Sequence, residues 1–185
     1  METVRAAEAS QHGLSRAGLY RRARQGQYER IGWGLYRPTS AAPADEDLIE
    51  AAFRRPDATL CLTSALAHHD LIDTIPERHD LAIPRGNREP ATRGALRWHR
   101  FDAATFDLGR EGYPIAGTDL AIWIYSPERC IADAFRMRGA TGYETARDAL
   151  RTWLARGGQP AALATLARQL PRATGPLMNA LDILT

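Results

Sequence analysis

His68, His69, Asp70, Asp73, His79 and Asp80 crowd one stretch of the chain, and each could bind a metal or move a proton. Neighbouring residues on a helix diverge by about 100°, so His68 and His69 do not easily face one ion, and a metal site is not expected. Ser64 has a histidine and an aspartate only at a distance and lacks the strand-turn-helix context of an activated nucleophile, so Thr63 or Ser64 reads instead as a helix cap. No carboxylate pair has a spacing that forces general acid-base geometry. Cys61 and Cys130 form no CxxC pair, which leaves neither a disulfide framework nor a structural zinc. All 24 basic residues of the Lys+Arg count are arginine. The lack of lysine removes the Walker A loop, a Schiff-base lysine and the lysine form of the restriction-type nuclease site. The expectation is a protein that is not an enzyme and needs no cofactor. A hydrolase or nuclease built on the His/Asp stretch would show metal-dependent turnover.

Arginine itself is the chemistry that remains. Its planar fork binds guanine O6 and N7, or phosphate oxygens, through paired hydrogen bonds. The formal charge is only +2 over 185 residues, but it is unevenly placed. Through Arg37, seven arginines face Glu2, Glu8 and Glu29. A second basic surface, Arg85, Arg88, Arg93, Arg97 and Arg100, faces only Glu89 in its own stretch. That second cluster reads either as a solvated loop or as a site for DNA or a protein partner.

Positioning the first cluster requires particular elements. Residues from about Thr3 to Gln11 read as a short helix broken at His12-Gly13. Ser15 is a natural N-cap for a helix running to Gln25, with Gly26 at its left-handed end. Tyr28–Ile31 and Leu35–Arg37 are β-prone runs joined by Gly32-Trp33-Gly34, a hairpin that could serve as a wing. Helical spacing sets Leu19 and Ala23 on an inner stripe, while Ala17, Gly18, Arg21 and Arg24 project outward. Gly18 costs helix stability, roughly 1 kcal/mol against Ala, and close approach to a groove would explain it. Ser15, Arg16 and Ala17 open the helix, where free N–H groups suit a phosphate. Arg30, Trp33 and Arg37 would then lie beside the backbone or minor groove. Trp33 alternatively folds back over the hairpin, Tyr28 and Tyr36 pack it, and the whole basic face alternatively stays in water.

The rest of the chain reads as strands and then helices. Pro38 to Asp45 is a linker and Glu46–Arg55 a helix, and "TLCLTSALAHHDLI" has helical spacing. "HDLAIP" and "ALRWHRF" are strands, and "GYPIAG" with "LAIWIY" a hairpin. Helices follow from Ser126, a cap with Pro127 at the first position, through "YETARDALRTWLAR", "PAALATLARQL" and "GPLMNALDIL". This order predicts an α+β fold: a winged helix-turn-helix over 1–40, then a small mixed α/β domain over 41–185. Its strands fall at about 79–125, and it ends in a helical bundle at about 127–184. Arg129 and Asp133 form an i,i+4 pair, weak if exposed and a tie between helix and sheet if buried. "METVRAAEASQHG" has no apolar signal core, and no stretch approaches the roughly 18 apolar residues of a membrane span, so a cytoplasmic protein without membrane contact is expected.

"QHGLSRAGLYRRARQGQYERIGWGLYRP" resembles the winged helix of the bacterial abortive-infection antitoxin family, AbiEi, with its recognition helix, Gly26, and a wing ending Gly34-Leu35-Tyr36. "TSALAHHDLI", "LAIPRG", "SPERCIADAFRMR" and "ARDALRTWLARG" are similar to the family's later segments in the same order, with Ser126, Arg129 and Asp133 as the structural motif. Cys130 stands where Thr is usual and Asp70 where Gly is common. The family's domain usually has a further helix ahead of these two, for which the chain begins too late; the expectation is a domain that is trimmed, mis-started or completed by another subunit. The resemblance implies an antitoxin that represses its own operon through double-stranded operator DNA and counteracts a nucleotidyltransferase toxin. The alternative is a stand-alone regulator whose C-terminal domain binds a ligand or another protein.

Overall fold

The structure, a computed structural model, describes residues 3–184. It is mixed α/β, with a three-stranded and a five-stranded sheet. The chain divides into two compact units: Met1–Asp57 with Pro90–Leu96 and Tyr113–Ile122, and the remainder.

In the first unit, Val4–Arg5 (β1) precedes a 3₁₀ turn at Ala9–His12, and Arg16–Arg24 (α1) follows. Tyr28–Gly32 (β2) and Leu35–Pro38 (β3) form the hairpin, and Glu46–Arg54 (α2) closes the run. The helix expected from Thr3 to Gln11 is therefore corrected to a strand and a 3₁₀ turn. A nine-residue helix is marginal alone, whereas the open edge of β3 offers Val4 and Arg5 the partners Tyr36 and Leu35. Sheet order is β1-β3-β2, with β2 and β3 antiparallel. Val4, Ala6, Ala9, Leu19 and Tyr28 form the core beneath, and Leu14, Ala23 and Tyr36 pack on it. The apolar stripe of α1 and the alternate residues of the hairpin thus bury one another, as their periods of 3.6 and 2 require.

α2 packs beside β2 and is capped by Asp45, whose carboxylate accepts from Leu48 N–H. Its own acids hold a distant stretch of chain. Glu50, fully buried, accepts from the main-chain N–H of Arg93 and Gly94, and Asp47 accepts from Ala95. Gly32 lets β2 come this close: a Cβ there would lie 2.6 Å from Glu50 Oε1.

Most residues of the five-stranded sheet belong to the second unit. Thr59–Leu60 (β4), a strand that sequence reading placed within a helical stretch, is followed by Leu62–His68 (α3). β4 pairs antiparallel with His79–Pro84 (β5), and Leu96–Phe101 (β6) lies on the far side of β5. Arg110–Pro114 (β7) and Ala121–Tyr125 (β8) complete the order β6-β5-β4-β8-β7, with β4 parallel to β8. Neither Thr63 nor Ser64 caps α3, because the helix starts at Leu62 after Cys61. Ser64 Oγ instead accepts from Asp80 N–H at 2.7 Å and donates to the Arg78 carbonyl, tying α3 to β5.

Ser126 caps Pro127–Arg136 (α4) through Arg129 N–H. The short Arg138–Thr141 (α5), then Tyr143–Ala155 (α6), Pro160–Ala167 (α7) and Thr174–Leu184 (α8), complete the bundle. α4 packs against α3, α6, α7 and α8, which explains why its residues from Arg129 to Phe135 are all buried.

Candidate nucleic-acid interface

Ser15 Oγ accepts from Gly18 N–H at 3.0 Å and so fixes the first turn of α1. Leu19 is fully buried, and the helix is held by that contact rather than by its polar face. Ala17, Arg21, Arg22 and Arg24 are exposed. The three arginine side chains make no hydrogen bond or ion pair among the described residues. They stand in the last turn, where cations favour the helix dipole, so the face is tolerated in water while remaining free to bind an anion. Arg22 was not singled out from the sequence. Its place between Arg21 and Arg24 at the helix end was the available signal.

The hairpin adds a second element. Trp33, at the tip, is 59% exposed. The Arg30 guanidinium lies 5.0 Å from the Trp33 ring centroid, and Arg30 Nε donates to the Gly32 carbonyl. This leaves a stiffened aromatic tip with a cation on one face. Tyr28 and Tyr36 pack inward, Tyr36 against Tyr20 with centroids 5.8 Å apart. Arg16 Nε donates to the Ala6 carbonyl at 3.2 Å and borders an open cleft of about 560 Å³ shared with Arg5, Tyr20, Trp33, Phe53 and Arg54. Arg5 and Arg54 escaped sequence reading because each sits in an element that only pairing brings to the hairpin. Arg54 Nη2 donates to the Trp33 carbonyl at 2.7 Å.

Two of the expected contact residues are placed elsewhere. Arg37 is 5% exposed and donates to the Ala42 carbonyl, so it braces the exit from β3 and has no reach to a polyanion. Gly18 is buried, and a Cβ there would meet Ser15 Oγ at 3.0 Å. Its reason is the cap and not a groove. Near Arg37, burial raises the Glu46 carboxyl above its ordinary range. The neighbouring Glu29, by charge and by hydrogen bond, raises it further against the opposing pull of Arg37.

The second basic surface is less uniform than its sequence. Arg85, Arg88 and Arg93 are exposed, whereas Arg100 pairs with Glu89 at 3.1 Å and Arg97 lies 3.7 Å from Asp80. Asp80 also takes His99 Nε2 at 2.7 Å, a partner that sequence distance concealed. Arg93 belongs to the first unit and the other four to the second.

The chemistry-bearing side chains elsewhere are engaged in structure. Arg129 and Asp133 are fully buried, 2.8 Å apart, and Arg129 Nη1 donates to the carbonyls of Thr105 and Leu108. The pair therefore ties α4 to the segment before β7. His68 and His79 stack with ring centroids 6.4 Å apart, and His69 Nε2 bonds the Tyr125 carbonyl. Among the described residues no group of three His, Cys, Asp or Glu could hold a metal ion. Cys61 and Cys130 are free and buried, and burial pushes both thiols well up, away from the thiolate a nucleophile needs. No helix among the described residues is long and apolar enough to cross a membrane.

Residues 1–39 match the family model described as a transcriptional regulator, AbiEi antitoxin. No curated protein matches the chain. The matched segment holds β1, α1 and the hairpin, the elements that carry the unpaired arginine face.

Proposed function

We propose that this chain is a DNA-binding antitoxin and transcriptional autorepressor, with α1 entering the major groove of its operator. In this reading Ala17 allows close approach, Arg21 and Arg24 reach base edges or phosphates, and Arg22 adds a backbone contact. Ser15 and Arg16, at the start of α1, take a phosphate, while Arg30 and Trp33 bear on the neighbouring backbone or the minor groove. The observation that carries the proposal is the arginine face of α1, unpaired among the described residues, on the segment matched to a transcriptional regulator. Arg85 and Arg88, on the second unit, are a secondary surface for DNA or a protein partner. The second unit would supply the antitoxin activity against a nucleotidyltransferase, and no step of a reaction is assigned to it.

The test is a mobility-shift titration of the chain on its own upstream DNA across a salt series. Binding that weakens steeply with salt, and further on Arg21→Ala with Arg24→Ala, supports the proposal; absent or salt-insensitive binding sinks it. Growth rescue on co-expression with a nucleotidyltransferase from the adjacent gene tests the antitoxin half. A second reading, a regulator with an unrelated C-terminal activity, is favoured by the confinement of the family match to residues 1–39. DNA binding without any rescue would select it.

A further inference from the structure

Within the second unit, an open cavity of about 730 Å³ is lined by Arg136, Arg138, Gly139, Arg172, Gly175 and Pro176. Three of these residues are arginines and none is acidic. The Arg136 side chain is only 8% exposed; its Nε donates to Asp133, and its buried Nη2 has no hydrogen-bond partner among the described residues. The Arg136 guanidinium lies 5.1 Å from the Phe101 ring centroid, so it is fixed in the cavity wall and contributes its charge there. Arg138 and Arg172 are exposed, and Arg172 has no partner among the described residues. The eleven-residue α8 begins here. Thr174 and Gly175 N–H take no main-chain acceptor among the described residues, and a Cβ at Gly175 would meet nothing within 4 Å, so the helix N-terminus is open. Its dipole favours negative charge at the same place.

The charge balance narrows the ligand. Asp133 is shared between Arg129 and Arg136 and so offsets only one of these two buried charges; Arg138 and Arg172 add to the surplus. Arg138 donates only to the neutral Phe135 carbonyl, at 3.5 Å, so more than one unit of positive charge remains beside the helix N-terminus, a match for a dianion. A phosphomonoester carries about −1.5 to −2 at neutral pH, where a backbone phosphodiester carries one charge. The cavity is larger than a phosphate and within the range of about 300–1,000 Å³ usual for small organic ligands. We infer that this cavity binds a phosphomonoester group, either free phosphate or the terminal phosphate of a small organic molecule. None of its residues belongs to the proposed DNA interface, so either idea can fail without the other.

Calorimetric titration of the full chain with adenosine 5′-monophosphate, inorganic phosphate, adenosine 3′,5′-cyclic monophosphate and adenosine tests it. Saturable binding is expected for the first two only. Tighter binding of the nucleotide identifies an organic phosphate as the source, and equal affinity identifies free phosphate. Arg138→Ala and Arg172→Ala should each weaken binding about tenfold or more without moving the ligand-free melting temperature, while Arg168→Ala, outside the cavity, leaves affinity unchanged. No saturable binding at millimolar probe, equal binding of the cyclic diester, or affinity indifferent to both arginine changes would overturn the inference.

Discussion

Arg129 and Asp133 are both fully buried, and removing one partner would strand the other's charge in the interior. Asp133→Ala is expected to cost about 3–5 kcal/mol in urea denaturation, and a paired Arg129→Met/Asp133→Leu chain should recover much of that. The Glu29–Glu46 contact makes a pH prediction. Glu46 holds its proton more tightly in the folded chain than in the unfolded one. The stability linked to it is present at low pH and is lost as pH rises from the ordinary carboxylate range through the raised folded value. Glu29→Gln removes the charge and weakens this shift, so a carboxyl NMR titration should find Glu46 moved down toward its ordinary range. An unmoved Glu46 would assign the whole shift to burial.

At the scale of elements, α1 is a short helix whose position depends on one buried stripe. Leu19→Ala should cost about 2–5 kcal/mol and detach the helix from the core of Val4, Ala9 and Tyr28, read as lost thermal stability and lost DNA binding together. By contrast, Arg21→Ala should leave the melting temperature unchanged, since its exposed side chain makes no hydrogen bond or ion pair among the described residues. β2 and α2 meet at Gly32, where any side chain would strike the buried carboxyl of Glu50. Gly32→Ala is therefore expected to lower stability by about 1–3 kcal/mol, and an unchanged denaturation midpoint would mean that Glu50 moves freely.

For the whole molecule, a net charge of only +2 would suggest little attraction to a polyanion, yet the arginines are concentrated. If Arg16, Arg21, Arg22, Arg24 and Arg30 each neutralise one phosphate, log K should fall with log salt at a slope of about −4 to −5. Each alanine replacement at a phosphate contact should reduce that slope by roughly one. A slope near zero in the complete chain would leave the basic face as a solvated surface.

Much of the local grammar was legible: Ser15 and Ser126 as caps, Gly26 as a helix end, the hairpin around Trp33 and the C-terminal helices. Each is written by residues a few positions apart, where turn geometry and side-chain period act directly. What sequence alone left open, or read wrongly, depends on which side chains the packed chain buries and pairs. Val4 and Arg5 form a strand only because β3 has an open edge. Arg37 is withdrawn from solvent because the chain turns back at Ala42. Gly18 is spent on the Ser15 cap, and Arg97 meets Asp80 across paired strands. Spacing told which side chains could share a helix face or a strand face. Only the tertiary structure decided which of them were buried or paired and which stayed free, because burial and long-range pairing are properties of the packed chain and not of any window within it.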